Sequence, residues 1–199
     1  MKELSVELTF SEMILGTCSG NPELHKEFIA SKAPDAESRE DEVASLGVDE
    51  VEKKEMTVFP RLEDGRPFIY DYQIRGFFKA ACGMLRNVPK TESSKIKAYK
   101  KYIDGLVFVN ERKIPIEFDG EIGNIQRPLR GQTAQGERIS LANSETCPAG
   151  SKLHFTVRVL KDDLLDAVVE WLDYGQYNGI GQWRNSGMGR FSWKDVSDK

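Results

Sequence analysis

Residues 179–191 read Gly179-Ile-Gly-Gln-Trp-Arg-Asn-Ser-Gly-Met-Gly-Arg-Phe191 and hold four glycines, two arginines and no acid. Just upstream, Leu164, Leu165, Val168, Trp171 and Leu172 fall at helical spacing. Downstream, Arg190 to Val196 reads as a closing strand. The loop therefore leaves a helix and opens a strand, whereas dinucleotide and P-loop motifs follow a strand and open a helix. A helix cap with a tight turn uses one or two glycines, so Gly179, Gly181, Gly187 and Gly189 exceed what a turn needs. Glycines permit close backbone approach and positive φ, and exposed N–H groups suit anionic oxygens. Arg184 and Arg190 add forks matched to phosphate, Asn185 and Ser186 add polar contacts, and Trp183 offers a face for base stacking.

Working outward, Leu153, Phe155, Val157 and Val159 alternate as a strand, and Arg138–Glu145 with the turn Pro148-Ala-Gly150 predicts its hairpin partner. Gly120 to Gly136, rich in glycine and poor in large apolar groups, has the composition of a projecting arm and carries Arg127 and Arg130. Leu106–Val109 and Ile114–Phe118 predict another hairpin, with Pro115 making its second strand an edge. Lys95 to Ile103 predicts a basic helix. Ile74, Phe77, Phe78, Ala81 and Leu85 predict the first core helix over Tyr72–Arg86. Before it, Thr57–Phe59, Gly65 and Pro67–Tyr70 read as strand, turn and strand, and Leu4, Val6, Leu8 and Phe10 mark strand one from Glu3 to Ile14. Gly16 to Gly20 breaks that pattern, and Asn21 to Lys54 is a long polar insertion. Strand, helix, strand, strand, helix, strand is an α+β, ferredoxin-like (RRM-like) order.

The chain of 199 residues carries a formal charge of −4, which by itself argues against nucleic acid. The deficit is local. Asp35 to Glu55 holds −6, the remainder is +2, and Arg86 to Lys113 alone is +5, so one face is expected to be basic. Cys18, Cys82 and Cys147 form no CxxC pair and are read as reduced, with Cys82 in the core. The N-terminus lacks the shape of a signal peptide and no apolar stretch reaches about 18 residues, so a cytoplasmic protein without membrane contact is expected.

The pattern glycine, hydrophobic, glycine, five residues including a base, glycine, any residue, glycine before a last strand resembles the glycine-rich loop of the RAMP superfamily of CRISPR-associated RNA-binding proteins. Gly179, Ile180, Gly181, Arg184, Gly187 and Gly189 match it. Upstream, Gly65, Pro67, Ile69, Ile74, Arg75 and Gly76 resemble the G-x-P-y-I-P-G-S-S-L-K-G stretch of backbone subunits. Arg75 stands for Lys there, and Tyr70-Asp71-Tyr72 replaces Pro-Gly-Ser. Arg138–Glu145 and Pro148–Gly150 resemble the strand and turn before the second helix.

The resemblance implies one RAMP-like domain over 1–199, with an acidic insertion at 16–56, a hairpin and projecting arm (thumb) at 106–137 and the glycine-rich loop at 179–190. It implies a subunit that holds guide RNA by its phosphates and stacks with copies of itself or other effector subunits. Arg75, Lys79, Arg127, Arg130, Gly179, Gly181, Trp183, Arg184, Asn185, Ser186, Gly187, Gly189 and Arg190 are the expected RNA-binding residues.

No metal or cofactor is expected, because neither His25 nor His154 has a ligand-spaced partner. No residue is assigned as catalytic, because a single His in a charged loop is more often solvent-exposed, and Glu23, Glu27 and Asp35 do not align with the Asp that cuts RNA in type III backbone subunits. Three alternatives stay open. One is a metal-independent endoribonuclease using His25. Another is a virus- or mobile-element protein that interferes with a host CRISPR complex, for which the acidic insertion would imitate nucleic acid. The last is a small-nucleotide binder using the same loop.

Overall fold

The computed structural model describes residues 1–20, 56–133 and 136–197, with side chains described except at 129–140. His25 and the acidic run Asp35–Glu55 lie outside the described residues. The protein is α+β and divides into two compact units, one of Met1–Ile14, Phe68–Asp119 and Pro148–Lys199, the other of Leu15–Pro67 and Gly120–Cys147.

The first unit is built on a four-stranded antiparallel sheet. β1 (Lys2–Phe10) pairs with β10 (Lys152–Val159) from Lys2 opposite Val159 to Thr9 opposite Lys152. β11 (Phe191–Asp195) flanks β1, and β6 (Val107–Val109) flanks β10. Numbered among themselves the strands lie in the order 4-1-3-2. Alternation places Leu4, Val6, Leu8 and Phe10 of β1 with Leu153, Phe155, Val157 and Val159 of β10 in the core. Helices α1 (Asp71–Leu85) and α3 (Leu164–Tyr174) bury Ile74, Phe77, Phe78, Ala81 and Cys82, and Leu164, Ala167, Val168, Trp171 and Leu172. Phe78 and Trp171 meet with ring centroids 5.5 Å apart.

Both hairpins expected from sequence are corrected. Val107 and Val109 pair with Val159 and Val157 of β10, whereas Ile114 in β7 (Lys113–Pro115) pairs with Ile69 in β5 (Phe68–Tyr70). Each strand takes a distant partner that buries its apolar side chains, and sequence adjacency loses. Arg138–Glu145 likewise belongs to β9 (Gly136–Cys147), which pairs with β8 (Gly123–Thr133) and not with β10. The antiparallel pair in this region therefore runs over 123–147, taking in the Gly120–Gly136 stretch in large part, and no hairpin joins 106–109 to 114–118.

Strand one ends at Phe10 and not Ile14, because the Ser11 and Glu12 amides turn away to the Arg190 carbonyl, at 2.8 and 3.4 Å. The basic helix starts late, as α2 (Tyr99–Leu106) after a 3-10 turn at Ser93–Lys95. Glu170 holds that turn by accepting from the Glu92 and Ser93 amides at 2.6 and 3.1 Å, while Trp171 Nε1 donates to Ser93 Oγ at 2.9 Å.

In the second unit, β3 (Cys18–Ser19) pairs antiparallel with β4 (Met56–Val58), and β4 runs parallel to β9 with Met56 opposite Asn143 and Thr57 opposite Ser144. Residues 18–19 and 56–58, on either side of Asn21–Lys54, therefore join one sheet with β8 and β9. Gly16–Gly20, expected to be a break, holds β3 with Cys18 buried. Buried Glu145 ties the sheet, accepting from the Phe59 amide at 2.9 Å and from Arg61 Nη2 at 2.7 Å. Gly16 is required where it sits, since a Cβ there would lie 2.5 Å from the Val58 carbonyl carbon. Cys18, Cys82 and Cys147 are all buried, and burial pushes the Cys147 thiol up to about 12.

On the polar side of the main sheet, Glu7 accepts hydrogen bonds from Lys152 Nζ at 3.2 Å and Lys194 Nζ at 3.3 Å, and lies 3.3 Å from His154 Nε2. These partners, Lys152 first, lower its pKa from 4.5 to about 2. A carboxyl whose folded pKa is depressed contributes stability that is present above its unfolded pKa and lost as pH falls through the folded one. Thermal melts should therefore lose more stability between pH 4.5 and about 2 in the wild type than in Glu7→Gln, and side-chain NMR should place the Glu7 midpoint near 2. A midpoint near 4.5 contradicts this account.

Candidate nucleic-acid interface

The glycine-rich loop is closed at a neck where its two ends touch. The Ile180 amide donates to the Gly189 carbonyl at 2.9 Å, and the Gly189 amide donates to the Met13 carbonyl at 2.9 Å. A Cβ on Gly179 would lie 2.0 Å from the Gly189 carbonyl carbon, and one on Gly189 would lie 2.0 Å from the Ile180 oxygen. These glycines are required by contact between two backbones. Gly181, Trp183, Gly187 and Gly189 all adopt positive φ, at 90°, 60°, 86° and 69°. Trp183 is the unusual one, a bulky residue in the left-handed region.

Between the neck strands, Arg184–Ser186 forms one 3-10 turn. The Ser186 and Met188 amides donate to the Trp183 carbonyl at 3.0 and 3.4 Å, and the Gly187 amide to the Arg184 carbonyl at 2.9 Å. Much of the loop's N–H capacity is therefore spent inside the protein. Its outward chemistry is carried by the exposed side chains of Arg184, Asn185 and Ser186, with Trp183 half-buried.

Other expected contacts already hold carboxylates. Arg190 donates through Nε to the Gly187 carbonyl at 3.0 Å and through Nη2 to Glu12 at 3.1 Å. Arg75 donates to Asp71 at 2.9 Å, and Lys79 pairs with Asp104. Arg184 has no ion-pair partner among the described residues. In the second unit, Arg127 is buried, which lowers its pKa by desolvation, and Arg130 pairs with Ile139 in the β8–β9 ladder.

The start of α1 explains what replaces the Pro-Gly-Ser segment. Gln73 Oε1 accepts from the Tyr70 amide at 2.9 Å, and Asp71 sits in the first turn, where a negative charge suits the helix dipole. Asp71 also accepts from Arg112, whose guanidinium lies 5.0 Å from the Tyr70 ring centroid and 5.3 Å from that of Tyr72. The two tyrosines stack at 5.1 Å. Arg112 was not among the sequence-derived residues; the signal available was two aromatics flanking an acid, which calls for a cation. Tyr177, just before the loop, is 70% exposed.

Gly189→Ala adds a Cβ against the Ile180 carbonyl and strains a positive φ, so it should destabilise the protein by about 2–4 kcal/mol in urea unfolding. An effect below about 0.5 kcal/mol would show that the neck is not closed in solution.

No family model matches this chain, and no curated protein matches it. Among solved structures, it is similar to a chain in the cryo-EM structure of the Type III-B Cmr-beta bound to cognate target RNA. That similarity has a TM-score of 0.54 at 11% identity and covers 98% of this chain and 60% of the other. It also matches a chain of a Type IV-B CRISPR complex, with a TM-score of 0.48 at 12% identity over 98% of this chain and 91% of that one. This protein thus has the fold of a chain found in the Type III-B complex and spans 60% of that chain's length.

Proposed function

We propose that this chain is a CRISPR-associated, RNA-binding RAMP-like protein, a single elaborated domain that holds guide RNA by its phosphates and stacks with copies of itself as a backbone subunit. The observation that carries the reading is the closed glycine neck, which presents Arg184, Asn185 and Ser186 to solvent on a 4-1-3-2 sheet. The similar fold in a complex bound to target RNA supports it. Arg184 meets phosphate directly. At Arg75, Lys79 and Arg190 a phosphate would exchange with the carboxylates of Asp71, Asp104 and Glu12, so these contacts are weaker than their charge suggests. Such contacts position RNA without reading its sequence. The 123–147 hairpin serves as the arm that reaches a neighbouring copy, with Arg130 on it as a phosphate contact, whereas Arg127 is buried and drops out of the expected RNA-binding residues.

Gly76 adds support. It lies exposed inside α1, where glycine costs roughly 0.5–1 kcal/mol against alanine, yet a Cβ there meets nothing within 4 Å. No internal contact requires it, which fits a helix surface kept low beside Arg75 for an approaching backbone.

Filter binding on single-stranded RNA should show affinity falling with salt, at a log–log slope of about −0.7 per neutralised phosphate. Arg184→Ala should weaken binding evenly across sequences and reduce the slope by about 0.7. Gly76→Ala should stabilise the fold by about 0.5–1 kcal/mol while lowering RNA affinity. Salt-independent binding, or an unchanged affinity in Arg184→Ala, ends this reading.

A further inference from the structure

A cleft of about 480 Å³ opens in the first unit between the segment leading into α2 and the start of α3. Its volume lies within the range of roughly 300–1,000 Å³ typical of small-molecule sites. None of the expected RNA-binding residues lines it. The wall is apolar where Ile96, Leu164 and Ala167 contribute, and the Tyr102 ring, 37% exposed, stands beside them.

Three lysines surround this apolar patch, and their charges are unequally committed. Lys95 Nζ lies 2.6 Å from Glu92 and Lys161 Nζ lies 2.6 Å from Asp163, and both pairs line the cleft. Lys97 has no ion-pair partner among the described residues. The two carboxylates lining the cleft, Glu92 and Asp163, are therefore both occupied, and the cleft keeps one uncommitted ammonium. The positive end of the α3 dipole opens onto the same space: Asp163 is its N-cap and makes no side-chain capping bond. An occupant must offer a flat, largely apolar body for the wall and Tyr102, together with a negative group for Lys97.

We infer that this cleft binds a free nucleoside phosphate, with the base against Tyr102 and the apolar wall and the phosphate at Lys97. A bare phosphate would leave the apolar wall unused, and an uncharged aromatic would leave Lys97 unused. This site is separate from the glycine loop and does not depend on the RNA-binding reading.

The test is isothermal titration of the full chain with AMP, GMP and UMP, and with inorganic phosphate for comparison. At least one nucleotide should bind saturably with Kd below about 1 mM and at least about tenfold more tightly than phosphate. Lys97→Glu should weaken that nucleotide by about tenfold or more, Lys97→Arg should retain it, and Tyr102→Ala should weaken it several-fold, as expected for loss of a stacking face. Both residues are exposed, and a circular dichroism melt confirms that each variant is folded. The inference is overturned if no nucleotide binds, if phosphate binds as tightly as the best nucleotide, or if folded Lys97→Glu binds as the wild type does.

Discussion

The antiparallel pairing of β1 with β10 governs the rest of the first unit. Leu4, Val6, Leu8 and Phe10 enter the core opposite Val157, Phe155, Leu153 and the Ser151 turn, giving α1 and α3 one continuous apolar surface to cover. β11 adds to the free edge of β1 and β6 to the free edge of β10. With the four strands satisfied in this way, the connections from β1 to α1 and from β6 to β10 are free to lengthen. They supply the second unit, where β4 of one connection runs parallel to β9 of the other.

The glycine neck solves a different problem. A loop of exposed polar residues would ordinarily sample many conformations, but contact between the Gly179 and Gly189 backbones leaves it a single entrance and exit. Phe191 anchors the exit. Its ring meets Phe77 at 5.2 Å and Phe10 at 6.3 Å, and it covers Gly175 so closely that a Cβ there would lie 2.1 Å from it. The side chains of Arg184, Asn185 and Ser186 are thus presented from a base fixed in the core, so that little ordering remains when a ligand arrives.

Both core helices were legible in the sequence because helical spacing names the residues on one buried face, and α1 and α3 bury those residues except Leu85 and Leu165, which are half-buried at the edge of the face. The faces of the strands were legible for the same reason. Their partners were not: alternation at Val107 and Val109 states which side is apolar but nothing about whether the neighbour is Ile114 or Val159. At the site, the glycine spacing revealed the loop, and the Asp71–Arg75 pair follows an ordinary i,i+4 pattern. The pairing of Lys79 with Asp104 and of Arg190 with Glu12 depends on tertiary placement, so charge counting overstated how many cations stand ready.

The parallel contact between β4 and β9 has a consequence for the order of folding during synthesis. β1 waits for Lys152–Val159, and the β3–β4 pair waits for Asn143 and Ser144 of β9, so β1 has no partner strand and the second sheet stays incomplete until most of the chain has been made. At roughly 5–20 residues per second, β1 stays unpaired on the ribosome for about 8–30 s. Closing loops of this length before any contact repays them also slows folding after release. The acidic run Asp35–Glu55 lies inside that waiting segment, where its like charges oppose association between nascent chains.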